Sequence, residues 1–238
     1  MGTKMIAAAL DRVIRAMCAE VDTLKEHLDW RTINEAELLF EAAVCIVGSQ
    51  TVYEMALGIA QRLKEGGFLE PSAPPSTNWK RGLAATLNAP IQFFANGRSH
   101  TSKPRFKNRI AYLLSATLTN VYGRKSSFRK ILSGAKGPED ARRVLVSTVF
   151  GFGPKQASLF LRRVGFSSDL AVIDTHILDY MRICAGVSTN PTALSKIGRY
   201  EQIEAAFKIL AREIGYDVGC VDLAAWITMR VAKREAYL

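Results

Sequence analysis

One spacing recurs along this chain and constrains its fold more than any other feature. Val52, Met55, Ala56, Ile59, Ala60 and Leu63 follow one another at alternating steps of three and one, and the run stops at Gly66-Gly67. Ile110, Leu113, Leu114 and Leu118 repeat the pattern, as do Ile203, Ala206, Phe207, Leu210, Ala211 and Ile214. Apolar residues so placed line one face of an α-helix, which is stable in water only when that face is buried. A strand needs alternation at period two, and no stretch of useful length shows it. The expected class is therefore all-α. With 238 residues and 48% hydrophobic composition, the chain can build one large or two small helical units with a core.

Pro71 to Pro104 is the least regular part, broken by Pro74, Pro75, Pro90 and Gly97. It reads as a long connection between two helical subdomains, anchored by Trp79 and the Phe93-Phe94 pair. The expected bounds are 1–75 plus 190–238 for one subdomain and 105–189 for the other. No apolar run approaches the length of a membrane span, and Asp11-Arg12 comes too early for a secretory signal. A cytoplasmic protein with no membrane partner is expected. Cys18, Cys45, Cys184 and Cys220 are scattered, with no Cys-x-x-Cys pair and no histidine at ligand spacing, so reduced core thiols and no metal site are expected.

The formal net charge is +10, and its distribution says more than its size. Between Arg98 and Lys130 stand nine Lys or Arg residues and no Asp or Glu. Arg105, Lys107 and Lys125 belong to this stretch, which is interleaved with Phe106, Tyr112, Tyr122 and Phe128. Such a run can be merely a solvated face. With aromatic rings and hydroxyl side chains among the charges, binding to a nucleic-acid polyanion is the better reading, and it predicts steep salt dependence.

Val149 to Asp174 carries the chemistry. Pro138-Glu139-Asp140 opens a helix, with proline and acids in its first turn. A Gly151-Phe152-Gly153 turn follows, and Pro154 opens a second helix with Lys155 on its first turn. Ala157, Phe160, Leu161 and Val164 give that second helix an apolar face that fixes the turn, and Gly165 closes it. Glycines before a helix start let backbone N–H groups gather around an anion. Leu170 to Ile173 is an apolar, strand-like run that delivers Asp174, a helix N-cap. An amine at the positive end of a helix and partly out of water is more easily neutral, as a nucleophile must be. A carboxylate at a second helix start suits a developing positive charge.

Gly151-Phe152-Gly153-Pro154-Lys155-Gln156-Ala157 followed by Val172-Ile173-Asp174 resembles the helix-hairpin-helix and Gly/Pro-Asp signature of the DNA glycosylase superfamily. Ala157 to Phe166 and Ile173 to Leu178 resemble most the archaeal-type 8-oxoguanine DNA glycosylase branch, as does Pro104 to Leu113. The resemblance implies two helical subdomains with the active-site cleft between them, and a helix-hairpin-helix over 139–165. It makes Lys155 and Asp174 the catalytic pair and double-stranded DNA with a damaged or modified base the partner of a monomeric, nucleoid-associated enzyme. Gly151 and Gly153 would hold a phosphate, with a structural monovalent cation at the hairpin as the one cofactor in view. Cys45 to Thr51 resembles the corner from which relatives fill the gap left by a flipped base, which assigns that role to Gln50; a helix-capping amide is the other reading.

Val221 to Trp226 resembles the branch's base-pocket helix, making Asp222 and Trp226 pocket candidates. The branch continues with an aromatic, a Thr-Gly and a terminal lysine, whereas Ile227 to Leu238 follows here, so recognition of 8-oxoguanine by such a lysine is unmatched. Trp226 could stack on a flipped base, though a tryptophan on a helix is more often core, given the area it buries, and His176 reads as a packed or capping histidine. Three readings stay open: a glycosylase with β-elimination lyase activity, a monofunctional glycosylase for another modified base, including one in foreign DNA, and a non-catalytic helix-hairpin-helix DNA-binding protein.

Overall fold

The computed structural model describes residues 2–23, 28–49, 51–71, 75–95, 97–123 and 125–235. The chain forms two compact units, Leu28–Phe152 and a terminal unit of Met1–His27 with Gly153–Leu238. These bounds differ from those read from composition. The irregular stretch from Pro71 to Pro104 does not join the units but lies wholly inside the first. It has structure of its own there: helix α4 (Thr77–Asn88) is capped by Ser76, which accepts the Trp79 N–H at 3.1 Å, and Trp79 meets Phe68 edge to face.

In the 28–152 unit, helix α2 (Glu35–Val47) starts at Asn34, whose side chain accepts the Glu37 N–H at 2.9 Å. Leu38 to Phe40 and Ala42 to Val47 are all buried, as in a helix surrounded by others. Packed on it are α3 (Tyr53–Glu65), α5 (Lys107–Tyr122) and α6 (Phe128–Gly134). The periodicity of α3 is realised in the burial of Met55, Ala56, Ile59, Ala60 and Leu63, and the chain leaves through Gly66 and Gly67. One element departs from the all-helical expectation. Strands β1 (Ile91–Ala95) and β2 (Arg98–Ser102) form an antiparallel ribbon, Ile91 opposite Ser102 and Ala95 opposite Arg98. Only Ile91 and Ala95 of its ten residues are buried, so no alternating apolar pattern announces it. The Asn96-Gly97 pair is its sequence signature, and Gly97 adopts φ +74°.

Glu35 organises the end of α5 and the start of α6. Its carboxylate accepts from the Tyr122 hydroxyl (2.9 Å) and from the N–H groups of Phe128 (2.7 Å) and Arg129 (3.1 Å). Burial and the neighbouring carboxylate raise the Tyr122 phenol. Helix α7 (Pro138–Thr148) closes the unit with proline, Glu139 and Asp140 in its first turn, as expected.

The terminal unit comprises α1 (Gly2–Thr23), α8 (Pro154–Arg163), α9 (Thr175–Ala185), α10 (Ile197–Ile214) and α11 (Val218–Glu235). Helices α1, α9 and α10 pack on α11 around Ile14, Ile177, Tyr180, Met181, Phe207 and Val221. Cys18 and Cys220 lie in this core, and burial pushes the Cys18 thiol up to about 12. Cys45 is buried in α2 and Cys184 is half-buried; all four are free thiols. Among the described residues no cluster of His, Cys, Asp or Glu could hold a metal, and no helix is long and apolar enough to cross a membrane.

Candidate active site

The glycine turn is held from below by α5. The Thr148 carbonyl accepts from Asn120 Nδ2 at 2.7 Å and the Phe150 carbonyl from Thr117 Oγ1 at 3.2 Å, while the Phe152 N–H returns to the Val149 carbonyl at 3.1 Å. Gly151 sits at φ +92°, a conformation that favours glycine, and a Cβ there would press on the end of the Leu113 side chain, 3.0 Å from its Cδ1. Gly153 is different: its φ is −99° and a Cβ would meet nothing closer than Gln156 Oε1 at 3.8 Å. The turn therefore depends on one glycine, not two.

Gly153 begins α8 without any side-chain cap, which leaves the first-turn N–H groups of that helix to an external acceptor. Lys155 lies on this turn, half-buried, and its amine makes no hydrogen bond or ion pair among the described residues. Beneath it Ala157, Ser158, Phe160 and Leu161 are completely buried, so the turn rides on a fixed support.

Asp174 caps α9 as expected. Its Oδ1 accepts from both His176 N–H (2.8 Å) and Ile177 N–H (3.1 Å), and Oδ2 takes neither bond. The residues that deliver it, Leu170 to Ile173, are buried but have no regular secondary structure and no strand partner. Buried side chains take the place of a partner strand. Ala171 N–H donates to Glu204 Oε1 (2.9 Å), Val172 N–H to Asp222 Oδ2 (3.0 Å) and Ile173 N–H to the Tyr200 hydroxyl (2.9 Å). Tyr200 in turn donates to the Ala171 carbonyl at 2.7 Å.

Two of these side chains also reach the lysine helix. Tyr200 hydrogen-bonds Ser158 on α8, and Arg162 on α8 pairs with Asp222 through Oδ2. Arg162 donates further to the Gly219 carbonyl at 3.3 Å, while the Gly219 N–H donates to Ser168 at 2.8 Å. Burial pushes the Asp222 carboxyl up to about 6, against the pull of Arg162 and the Val172 N–H; the charge of Asp174 pushes the same way as burial. Asp222, expected at a base pocket, is only 1% exposed and ties α8 and α11 to the segment before Asp174.

The other expected pocket residue, Trp226, is half-buried. Its ring meets that of His176 edge to face at 6.3 Å, and the Arg230 guanidinium lies 4.8 Å over it. His176 Nδ1 is buried without a partner among the described residues. Burial, with Lys233 and Arg230 nearby, lowers the His176 imidazole, and Asp174 and Asp179 oppose the shift.

In the basic stretch, Arg105 is exposed, whereas the Lys107 amine is held by Asn88 Oδ1. Lys125 is exposed in the loop after α5 and is the one described non-glycine residue at positive φ, +53°. Arg129 is spent internally, donating to the carbonyls of Arg31 and Ile33. Gln50 lies outside the described residues. Sequence reasoning passed over Tyr200, Glu204 and Arg162. A signal was present: Tyr200, Ile203, Glu204 and Phe207 share one face of α10, and an acid on an apolar face is buried only if paired.

A model of the family described as 8-oxoguanine DNA glycosylase matches residues 90–216, ending just before α11. A protein named 8-oxoguanine DNA glycosylase/AP lyase from Thermoplasma volcanium is 39% identical over 195 residues, covering 81% of this chain and 80% of that one. A protein of the same name from Saccharolobus islandicus is 36% identical over 125 residues, 52% of this chain. The match covers only 58% of that relative's length. The fold is shared with the solved 8-oxoguanine DNA glycosylases of Thermotoga maritima (TM-score 0.70, 22% identity, 94% of this chain and 95% of that one) and Methanocaldococcus jannaschii (0.70, 23%, 94% and 92%). The chain belongs to the helix-hairpin-helix family of 8-oxoguanine DNA glycosylases.

Proposed function

We propose that this protein is a DNA N-glycosylase with associated β-elimination lyase activity. In this reading it acts as a monomer, in the nucleoid-associated cytoplasm, on duplex DNA carrying a damaged or modified base, with 8-oxoguanine the first candidate. The observation that carries the reading is that the helix bearing Lys155 on its uncapped first turn and the segment ending at the Asp174 cap of α9 are bonded to the same two buried side chains, Tyr200 and Asp222. The names borne by the relatives support it.

The glycosidic carbon is out of reach inside a base stack, so the damaged nucleotide is first extruded from the duplex. Phosphate oxygens meet the N–H groups of the α8 first turn and the exposed Arg105 and Lys125. As the bond from C1′ to the base breaks, the base leaves with the electron pair and positive charge spreads over C1′ and O4′. Asp174 Oδ2 faces that charge, because Oδ1 is committed to the cap. The Lys155 amine, reacting in its deprotonated form, donates its lone pair to C1′; the proton it then loses passes to O4′ as the nitrogen lone pair breaks the C1′–O4′ bond, giving a Schiff base and a 4′ hydroxyl. Loss of a proton from C2′ sends electrons toward the iminium and expels the 3′ phosphate. Water then hydrolyses the imine and frees the lysine.

The monovalent cation suggested by the hairpin would be held by main-chain carbonyls. Those of Thr148, Val149 and Phe150 each accept one hydrogen bond and keep a second lone pair for it. The base is chosen elsewhere. Trp226 offers a stacking face, and Arg230 over the same ring offers only donors. Duplexes each carrying one modified base, incubated with the protein and borohydride, test this reading. A covalent adduct with the 8-oxoguanine duplex is expected, and an adduct only with a different base would keep the chemistry and move the substrate. No adduct with any duplex that loses its base would favour hydrolysis by water over the lysine.

A further inference from the structure

Three successive backbone donors, Ala171, Val172 and Ile173, end on three buried side chains drawn from two other helices, Glu204 and Tyr200 of α10 and Asp222 of α11. A buried N–H without a partner is costly, and an ordinary solution is a neighbouring strand. Here the fold uses a tyrosine and two acids, and burying acids is itself unfavourable unless they are engaged. Apolar residues would fill the same volume at less cost but could not accept from the backbone. What these groups supply is position. Each fixes one peptide unit of the segment that ends at Asp174, and two of them also grip α8, at Ser158 and Arg162. These two residues lie three and seven positions after Lys155, on the same side of its helix.

We infer that Tyr200, Glu204 and Asp222 are positioning residues that hold Asp174 in register with the helix bearing Lys155. They touch neither substrate nor reacting atoms and act only through the backbone of residues 171–173 and through Ser158 and Arg162. The inference rests on the reading of Lys155 and Asp174 as the reacting groups. It has a structural half, the clamp itself, and a kinetic half, its effect on base release.

Tyr200→Phe keeps the ring and removes the hydroxyl that accepts from Ile173 and donates to Ala171. Amide hydrogen exchange at Ile173, His176 and Ile177 should speed up, because the cap is no longer held in place. In single-turnover assays with a glycosylase substrate, base release should slow on the order of 100-fold, the scale expected when a reacting group is misplaced by about an ångström. Affinity for the same duplex should change less than about threefold, a difference too small to count beside the hundredfold scale of misplacement. In the Asp174→Asn background the added Tyr200→Phe should cost nothing further, since the two act on one carboxylate. If Tyr200→Phe cannot be obtained folded, Glu204→Gln, which loses the charge behind the Ala171 bond, carries the same measurements with smaller changes.

Unchanged exchange at the three amides would overturn the clamp. Additive losses in the double variant would overturn its action through Asp174. If Asp174→Asn alone released base at the wild-type rate while the amides still exchanged faster in Tyr200→Phe, the clamp would stand and the catalytic assignment of Asp174 would fall.

Discussion

The two groups that the proposed chemistry needs are held in opposite ways. Asp174 is held through one oxygen and through its backbone: both cap donors end on Oδ1, and the three peptide units before it are gripped by Glu204, Asp222 and Tyr200. Lys155 stands on a well-supported turn, but its own amine makes no bond among the described residues. The difference matches the two tasks. A carboxylate that stabilises a developing charge works best when it does not move, because preorganised dipoles cost nothing to reorient during the reaction. A nucleophile must approach C1′, form a bond and follow the sugar as its ring opens, which a tightly bonded amine could not do. One half of the site is fixed by the core and the other is left with its reach.

The sharpest way to break this contrast is to remove the unbonded half. Lys155→Gln should abolish strand cleavage altogether; retained cleavage would show that the nucleophile is another group. The fixed half should fail by degrees: Asp174→Asn is expected to slow base release on the order of 100- to 1,000-fold, as the loss of one electrostatic partner does elsewhere, with DNA affinity largely spared. Equal loss of binding and rate would make Asp174 a cap and nothing more.

The support beneath the fixed half can be titrated. Asp222 is pushed up to about 6 in the fold, whereas an unfolded aspartate releases its proton near 4. Between these values the folded chain keeps a proton that the unfolded chain has lost, so stability falls as pH rises through the window. Wild type compared with Asp222→Asn, which cannot titrate, should lose on the order of 3 kcal/mol between about pH 4 and pH 7, read by denaturant unfolding. A pH-independent difference would mean that the buried carboxylate carries no such penalty.

The smallest effects belong to the basic stretch, where the same contrast between free and committed groups recurs. Arg105 is exposed and without a partner among the described residues, so Arg105→Ala should flatten the slope of log affinity against log salt by about 0.9. Arg129→Ala should leave that slope alone and lower stability, because its guanidinium is already used by the Arg31 and Ile33 carbonyls.

Much of this was legible in the sequence, and the rest was hidden for definite reasons. The apolar spacing located α3, α5 and α10, and the Gly-Phe-Gly turn with its lysine and the capping aspartate stood where expected. Periodicity works for helices because burial repeats along one face. It could not find the ribbon at Ile91–Ser102, whose exposed polar strand carries no period, although Asn96-Gly97 marked its turn. The assignment of Asp222 to a pocket failed to anticipate its burial because its partners, Arg162 and Val172, are 60 and 50 residues away in the chain. Separation along the chain also hid Tyr200 and Glu204: nothing local says that a helix acid will receive a backbone donor from a loop 33 residues upstream.

The most direct test of the central claim is to find where the protein becomes attached to DNA. Borohydride trapping on a duplex that the protein cleaves, followed by trypsin and nuclease digestion, should yield a sugar-modified peptide running from Val144 to Arg162, with cleavage blocked at Lys155. A modification on any other lysine, or a substrate that loses its base with no adduct at all, would contradict the account.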